Sequence, residues 1–169
     1  VRAGAAALLV EEPVGESVPT AVVSSTDKIL STVAARFYGH PSRSLRVLGV
    51  TGTNGKTTIT YMMETLLRAA GRPAGVLGTI EYRWPGHAEP AVNTTPMAAD
   101  VQRLLAGMKA AGVTDVAMEV SSHSLALGRV EDVSFSVGVF TNLTQDHLDF
   151  HKDMEGYFNA KARLFDLLA

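Results

Sequence analysis

Two rhythms of apolar residues alternate along the chain. Short apolar or alternating runs at Ala7–Val10, Thr20–Ser24, Val47–Val50, Gly75–Tyr82, Asp115–Val120 and Phe135–Thr141 predict strands. Between them, apolar positions recur every three or four residues and predict helices. One covers Lys28–Tyr38. A second buries Ile59, Met62, Met63, Leu66, Leu67 and Ala70 and stops at Gly71 and Pro73. A third opens with Thr95 as N-cap and Pro96 at the first helical position, buries Val101, Leu104, Leu105 and Met108, and ends at Gly112. The last spans Asp153–Leu168.

A polar Gly/Pro/Ser link, Gly39–Ser44, divides this pattern into residues 1–44 and 45–169. Beyond it strand and helix alternate, the signature of an α/β fold with a mainly parallel sheet flanked by helices. An apolar fraction of 46% with 19% charged residues fits a globular chain, and 169 residues suffice for a sizeable core. A net charge of −2 without a basic run gives no nucleic-acid-binding surface. The absence of cysteine excludes disulfides and thiolate metal sites. No apolar stretch is long enough to span a bilayer. The apolar start Val1–Val10 runs straight into Glu11-Glu12-Pro13 with no export-type cleavage region, and so reads as a core strand, not a leader. The chain begins with valine and ends in Asp166-Leu167-Leu168-Ala169, so both ends read as cut and the whole as an internal fragment.

The stretch Val47–Thr58 carries the most chemistry. An apolar strand breaks into a glycine-spaced turn and ends in Lys56-Thr57-Thr58, where a helical rhythm starts. That order sets unpaired backbone N–H groups and a lysine ammonium at a helix N-terminus, a geometry that holds nucleotide phosphates. The Thr57 hydroxyl can complete the coordination of Mg²⁺. The spacing departs from G-x-x-x-x-G-K-[ST]: Val50 stands where the first glycine would, with Gly49 one place early and Gly52 inside the loop. Strand before and helix after supply the structural context, and the sequence predicts an ATP or GTP site.

Three further positions stand out. Glu119 lies near the C-terminal end of a strand, the edge where ligands of open α/β sheets sit. Its carboxylate can hold or orient the Mg²⁺ that bridges nucleotide phosphates, or face solvent as an ordinary strand-end residue. Asp146, His147, Asp149 and His151 follow another strand; since Mg²⁺ prefers oxygen, this cluster on its own reads as a polar loop with a capping aspartate. Lys161 falls inside the apolar stripe of Met154, Tyr157, Phe158, Leu164, Phe165 and Leu168. A buried ammonium is costly, so such a lysine snorkels, finds an anion, loses its proton or is modified.

Taken together, several runs resemble the Mur ligases, in the branch of the UDP-N-acetylmuramoyl-tripeptide synthetases. They are Gly49–Thr58, Asn93-Thr94-Thr95-Pro96, Met118–His123, Phe140–Leu143, Asp146–His151 and Ala160-Lys161, in the family's order and spacing. Phe37–Ser42 is similar to the family's link between its N-terminal and ATPase domains. The resemblance covers nearly the whole chain. It implies that residues 1–44 are the C-terminal part of an N-terminal α/β domain plus linker, that 45–169 are the first part of the central ATP-binding domain, and that the C-terminal domain is absent. It implies a cytoplasmic enzyme that transfers the ATP γ-phosphate to a carboxylate of a UDP-N-acetylmuramoyl-dipeptide, after which an amino-acid amine attacks the acyl phosphate. The added residue is the third of the peptidoglycan peptide, either meso-diaminopimelate or lysine. ATP would be held by Thr53, Asn54, Gly55, Lys56, Thr57 and Thr58. One Mg²⁺ would sit on Thr57 and Glu119. His147 and Lys161 would serve a second, with Lys161 carbamylated by CO₂ into an anionic oxygen ligand. Asn93, Thr94, Thr95, Ser121 and Arg129 match substrate-contacting positions.

Two departures bear on these expectations. Leu127 stands two residues before Arg129, where some relatives carry glutamine. The uridine-binding segment and the amino-acid-selecting C-terminal domain have no counterpart here, so this chain alone is expected to lack ligase activity. A folylpolyglutamate-synthase-like ligase and a non-catalytic nucleotide-binding module are the rival readings. Lys56, Glu119, His147 and Lys161 together argue against the second, because a pure binder needs only the first. Oligomeric state is open.

Overall fold

The computed structural model describes residues 4–15 and 17–169; the expected strand at the chain's start therefore has its first residues, Val1–Ala3, outside the described part. Strands β1 (Leu8–Val10) and β2 (Thr20–Val22) pair in parallel as a two-stranded sheet of their own. Helix α1 (Thr26–Phe37) follows, with the Ser25 side chain accepting from Lys28 N–H at its N-cap. Glu11 Oε1 accepts from both the amide and hydroxyl of Thr26 at 2.7 and 2.8 Å, which ties the small sheet to the helix. Gly39 and His40, with φ of 71° and 49°, then turn the chain into a 3-10 turn at Pro41–Ser44.

The main sheet has six strands: β3 (Arg46–Thr51), β4 (Ala74–Leu77), β5 (Glu81–Trp84), β6 (His87–Pro90), β7 (Asp115–Glu119) and β8 (Phe135–Phe140). Their order is β6-β5-β4-β7-β3-β8. The four strands β4, β7, β3 and β8 run parallel, and β5–β6 is an antiparallel hairpin on one edge. The expected α/β class with a mainly parallel sheet is the observed one. Every residue of β4 and β7 is buried, as strands covered on both faces must be. Helices α2 (Lys56–Ala69), α3 (Ala98–Ala110), α4 (Ser122–Ala126), α5 (Leu148–His151) and α6 (Met154–Asp166) complete the fold. A Cβ on Gly75 would meet Met108 of α3, and one on Gly49 would meet Leu164 of α6. Both glycines pair with the same side of β7, at Val116 and Met118, so α3 and α6 share a face. Helix α2 connects β3 to β4 and packs against β7, which lies between them in the sheet. Among the described residues no helix is long and apolar enough to cross a membrane.

Several expectations need correction. The strand expected over Gly75–Tyr82 is two strands, because the chain bends at Gly78–Ile80 and reverses into β5. The Thr79 amide is bonded to the Glu119 side chain, not to a neighbouring strand. Thr95 does not cap α3: the helix starts at Ala98 after Met97, and the Thr95 hydroxyl donates to the backbone oxygen of Glu119. In α2 the buried residues are Thr60 and Glu64, whereas Met62 and Leu66 are exposed. Glu64 is drawn inward by an ion pair with Arg83 of β5, and that pairing sets which side of the helix faces the sheet. In α6 the buried face is Tyr157, Ala160, Lys161 and Leu164, and Phe158 and Phe165 lie at its exposed margin.

Candidate active site

The strand β3 delivers its last residue, Thr51, to a loop whose backbone needs glycine. Gly52 has φ of 135°, and a Cβ there would overlap the Thr141 hydroxyl oxygen. The segment after β8 holds this loop from above. Thr53 N–H donates to Asn142 O (3.0 Å), Asn54 N–H to Asn142 Oδ1 (3.1 Å), and the Thr141 hydroxyl and Asn142 Nδ2 donate to Asn54 O (2.7 and 3.1 Å). The Thr144 amide donates to Thr53 Oγ1 at 3.0 Å. Of the expected phosphate-binding segment Thr53–Thr58, two amides are therefore engaged within the protein. Gly55, at φ of 86°, caps α2, and the amides that open this helix have no intrahelical partner.

Two lysines converge on one carbonyl at this loop. Lys56 Nζ donates to Gly52 O (3.0 Å) and Thr53 O (2.8 Å). Lys161 Nζ, reaching up from α6, donates to Gly52 O at 2.8 Å. Lys161 is 1% exposed and its ammonium lies 4.4 Å from the centre of the Tyr157 ring. Burial, reinforced by the charge of Lys56, pushes the Lys161 amine down to about 8, against a smaller opposing pull from Asp146. Burial also lowers the Lys56 amine, opposed by the attraction of Glu119 and Asp146. The Tyr157 hydroxyl, 3.2 Å from Thr53 Oγ1, links the lysine's platform to the loop.

Glu119 ends β7 beside this pair and is wholly buried. Its Oε1 accepts from Thr79 N–H (2.9 Å), and the Thr79 hydroxyl lies 3.1 Å from Oε2. Gly78 must lack a side chain, since a Cβ would overlap Glu119 Oε1. The Thr94 hydroxyl is 3.1 Å from that of Thr79, so one expected substrate position adjoins the carboxylate's own support. Thr95, 1% exposed, is spent on Glu119 O and on Ser121, whose amide donates to its hydroxyl at 3.0 Å. Asn93 exchanges hydrogen bonds with the Tyr82 hydroxyl through its backbone.

His147, with φ of 52°, stands at the rim, its Nε2 3.5 Å from Asp146. His123 is edge-on to His147 at 4.8 Å and stacks near Phe150 at 4.3 Å, while His151 Nε2 is 2.9 Å from Ser122 Oγ. Burial first, then the neighbouring imidazoles, lower the pKa of both His123 and His151. Arg129 opens onto a different cavity, near enough for its charge to lower the His123 pKa. It lines a cavity of about 180 Å³ with Asp27, Leu30, Met97 and Leu127, and its buried Nε has no hydrogen-bond partner among the described residues.

Among the described residues no three histidine or acidic side chains form a metal cage by themselves. The donor chemistry suits Mg²⁺ nonetheless, since that ion takes one or two carboxylates with phosphate and water. Glu119 retains free lone pairs beyond its Thr79 bonds, and Thr57 carries its hydroxyl in the first turn of α2. Lys161 as an ammonium would repel a cation, so a metal close to it requires that the amine lose its proton or be modified. The structure thus gathers Lys56, Glu119, Thr94 and Lys161 about the loop, with His147 at its rim and Arg129 in a separate cavity. Sequence reasoning gave Thr79 no place beside Glu119, and it named Tyr157 and Asn142 only within a stripe and a matching run, without their bonds to the loop. The only hint of Thr79 was a Gly-Thr pair inside a stretch read as strand.

The model of the Mur ligase middle domain matches residues 50–169. The UDP-N-acetylmuramoyl-L-alanyl-D-glutamate–2,6-diaminopimelate ligase of Geobacter metallireducens is 50% identical over 98% of this chain and 33% of its own length. Its counterpart from Thermosynechococcus vestitus is 54% identical over 85% of this chain and 29% of its own. A solved structure of a ligase with the same name superposes with a TM-score of 0.81 at 30% identity, covering 96% of this chain and 33% of that one. FolC of E. coli with bound ADP gives a TM-score of 0.63 at 26% identity, over 79% of this chain and 38% of that one. The chain spans about a third of the length of the curated relatives it matches.

Proposed function

Because the chain belongs to the Mur ligase family, we propose that it supplies the phosphate-binding half of an ATP-dependent carboxylate–amine ligase of peptidoglycan synthesis. The substrate is a UDP-N-acetylmuramoyl-L-alanyl-D-glutamate. The incoming amine is 2,6-diaminopimelate, the amino acid in the names of relatives about half identical to this chain. Those relatives favour the muramoyl branch over a folate-type ligase. Residues 45–169 are the first part of the central ATP-binding domain, and 1–44 the end of the N-terminal domain with its linker. The separate β1–β2 sheet supports that division. Helix α1 and the turn Pro41–Ser44 act as the joint, since Ser31 and Thr32 bond to Asp132 and Ser42 accepts from Ser134 N–H. ATP and the nucleotide-linked substrate place the reaction in the cytoplasm.

In the reaction a substrate carboxylate oxygen attacks the γ-phosphorus and ADP leaves, giving an acyl phosphate. The amine then adds to the acyl carbon, loses a proton, and the tetrahedral intermediate expels phosphate to leave the amide. The free amides at the start of α2 and the Lys56 ammonium hold the β- and γ-phosphates against their mutual repulsion. Lys56 is poised for this: its present partners are two loop carbonyls, and phosphate oxygens offer a stronger, charge-assisted bond. Thr57 and Glu119 would hold one Mg²⁺ and His147 with carbamylated Lys161 a second, which when bound supply positive charge to the phosphates. Burial of the Lys161 amine to about 8 supports carbamylation, because CO₂ adds only to the free base. Thr94 and Ser121 orient the muramoyl substrate, and Thr95 holds Ser121 and the Glu119 backbone in place. Arg129 contributes a guanidinium whose Nε has no partner among the described residues.

The observation that carries this reading is the meeting of Lys56 and Lys161 on the Gly52 carbonyl beside the buried Glu119. Phosphate release by the full-length enzyme, dependent on both muramoyl substrate and amino acid, tests it. Lys56→Ala should abolish that release, and undiminished turnover would refute the assignment.

A further inference from the structure

Resting on the reading above, we infer that Thr79 is a positioning residue that couples the muramoyl-substrate site to the Mg²⁺ carboxylate. Thr79 touches both. Its amide and hydroxyl address the two oxygens of Glu119 separately, at 2.9 and 3.1 Å, so the carboxylate plane is fixed against rotation. The same hydroxyl oxygen is 3.1 Å from Thr94 Oγ1. A hydroxyl has one proton, and the carboxylate is the stronger acceptor. In the structure the Thr79 hydroxyl is aimed as a donor at both Glu119 Oε2 and Thr94 Oγ1, so the two acceptors share its one proton and the carboxylate holds the larger part. The result is a fork at Thr79 that links the two sites: whatever Thr94 draws from that proton, Glu119 loses. A substrate that engages the Thr94 hydroxyl alters the bond that orients the carboxylate.

The surroundings leave Glu119 few alternatives. It is wholly buried, and Gly78 closes the space beside Oε1. Without the Thr79 hydroxyl, Oε2 has no donor among the described residues and the carboxylate can turn about its one remaining bond. Thr79 itself sits on an exposed bend between β4 and β5, so its side chain adds little to the core.

The test uses the full-length enzyme and measures the Mg²⁺ concentration that gives half-maximal ATP binding by calorimetry, alongside kcat and the KM for muramoyl substrate. Thr79→Val should raise the Mg²⁺ requirement about tenfold or more, as losses of partners behind metal ligands do. ATP binding in EDTA should stay unchanged. Thr79→Ser, which keeps the hydroxyl, should return within about threefold of wild type. Thr94→Val, which has no bond to Glu119, should raise the muramoyl KM and, by leaving the Thr79 proton wholly to Glu119, lower the Mg²⁺ requirement, since the two sites are coupled. A wild-type Mg²⁺ requirement in Thr79→Val, or in Thr94→Val, overturns the coupling; so does a Thr79→Ser enzyme as impaired as Thr79→Val. Thr94→Val keeps the test decisive should Thr79→Val not fold. Failure of the underlying assignment reads differently, as a wild-type enzyme with no muramoyl-dependent phosphate release at all.

Discussion

Replacing Lys161 by methionine should make the protein more stable near neutral pH while destroying its chemistry. The side chain is 1% exposed, and burial holds its amine at about 8 instead of 10.5. Keeping that amine protonated in the folded state costs at most about 3 kcal/mol. Water at the rim of the loop screens part of this, and the variant forfeits the bond to Gly52 O, worth about 1 kcal/mol. The acceptor is not left bare, because Lys56 still donates to it. A net gain of about 1–2 kcal/mol remains, or a Tm higher by about 2–8 °C for a cooperative unit of about 150–250 residues. The sign of its pH dependence follows from the lowered folded-state value. Between about 8 and 10.5 the unfolded chain binds a proton that the folded one has released, so wild-type stability rises through that window. The variant has no such group, and its advantage is full below pH 8 and gone by about 10.5. Thermal unfolding of both full-length proteins in CO₂-free, Mg²⁺-free buffer, at about pH 6.5 and about pH 9.5, measures the gap. A methionine variant less stable than wild type at the lower pH, or a gap equal at both, would refute the reasoning.

Three other perturbations have defined outcomes. In ¹³C-bicarbonate, wild-type enzyme should show a carbamate resonance that is lost in Lys161→Met and that grows as pH rises toward about 8, where the free amine appears; a signal insensitive to the substitution would assign the carbamate elsewhere. Gly52→Ala should reduce ATP affinity more than about tenfold by calorimetry, because φ of 135° and the Thr141 hydroxyl leave no room for a methyl group. Gly49→Ala puts a Cβ 2.8 Å from Phe135 and 2.9 Å from Leu164 in the core, an overpacking that costs about 1–3 kcal/mol, visible as a lowered Tm.

What could be read from the sequence was whatever local periodicity decides. The parallel sheet, the loop at Gly52–Thr58 and the strand-end place of Glu119 follow from runs of neighbouring residues. Lys161 was legible as a problem, an amine amid apolar neighbours, although the stripe around it was drawn too wide to include Phe158 and Phe165. What escaped is set by residues distant in sequence. Thr79 sits in a run whose Ile80 and Tyr82 favour a strand, yet its amide answers to Glu119, forty residues later. Thr95 has the composition of a helix cap, but a buried carbonyl outbids the helix for its hydroxyl. Met62 and Leu66 match a helical stripe, and an ion pair between Glu64 and Arg83 turned that stripe outward. The hairpin of β5 and β6 went unseen although Pro85-Gly86 marks its turn.

The bonds from Thr141, Asn142 and Thr144 to the loop at Thr53 and Asn54 also dictate when the nucleotide cradle can exist. They join positions 87 to 91 residues apart. A nascent chain emerging from the ribosome can lay down β3 and begin α2 long before that clamp is made, and until then Gly52 to Gly55 lack their bracing. Competence to grip a triphosphate arrives in one late step, when β8 docks beside β3 and carries the clamp into position.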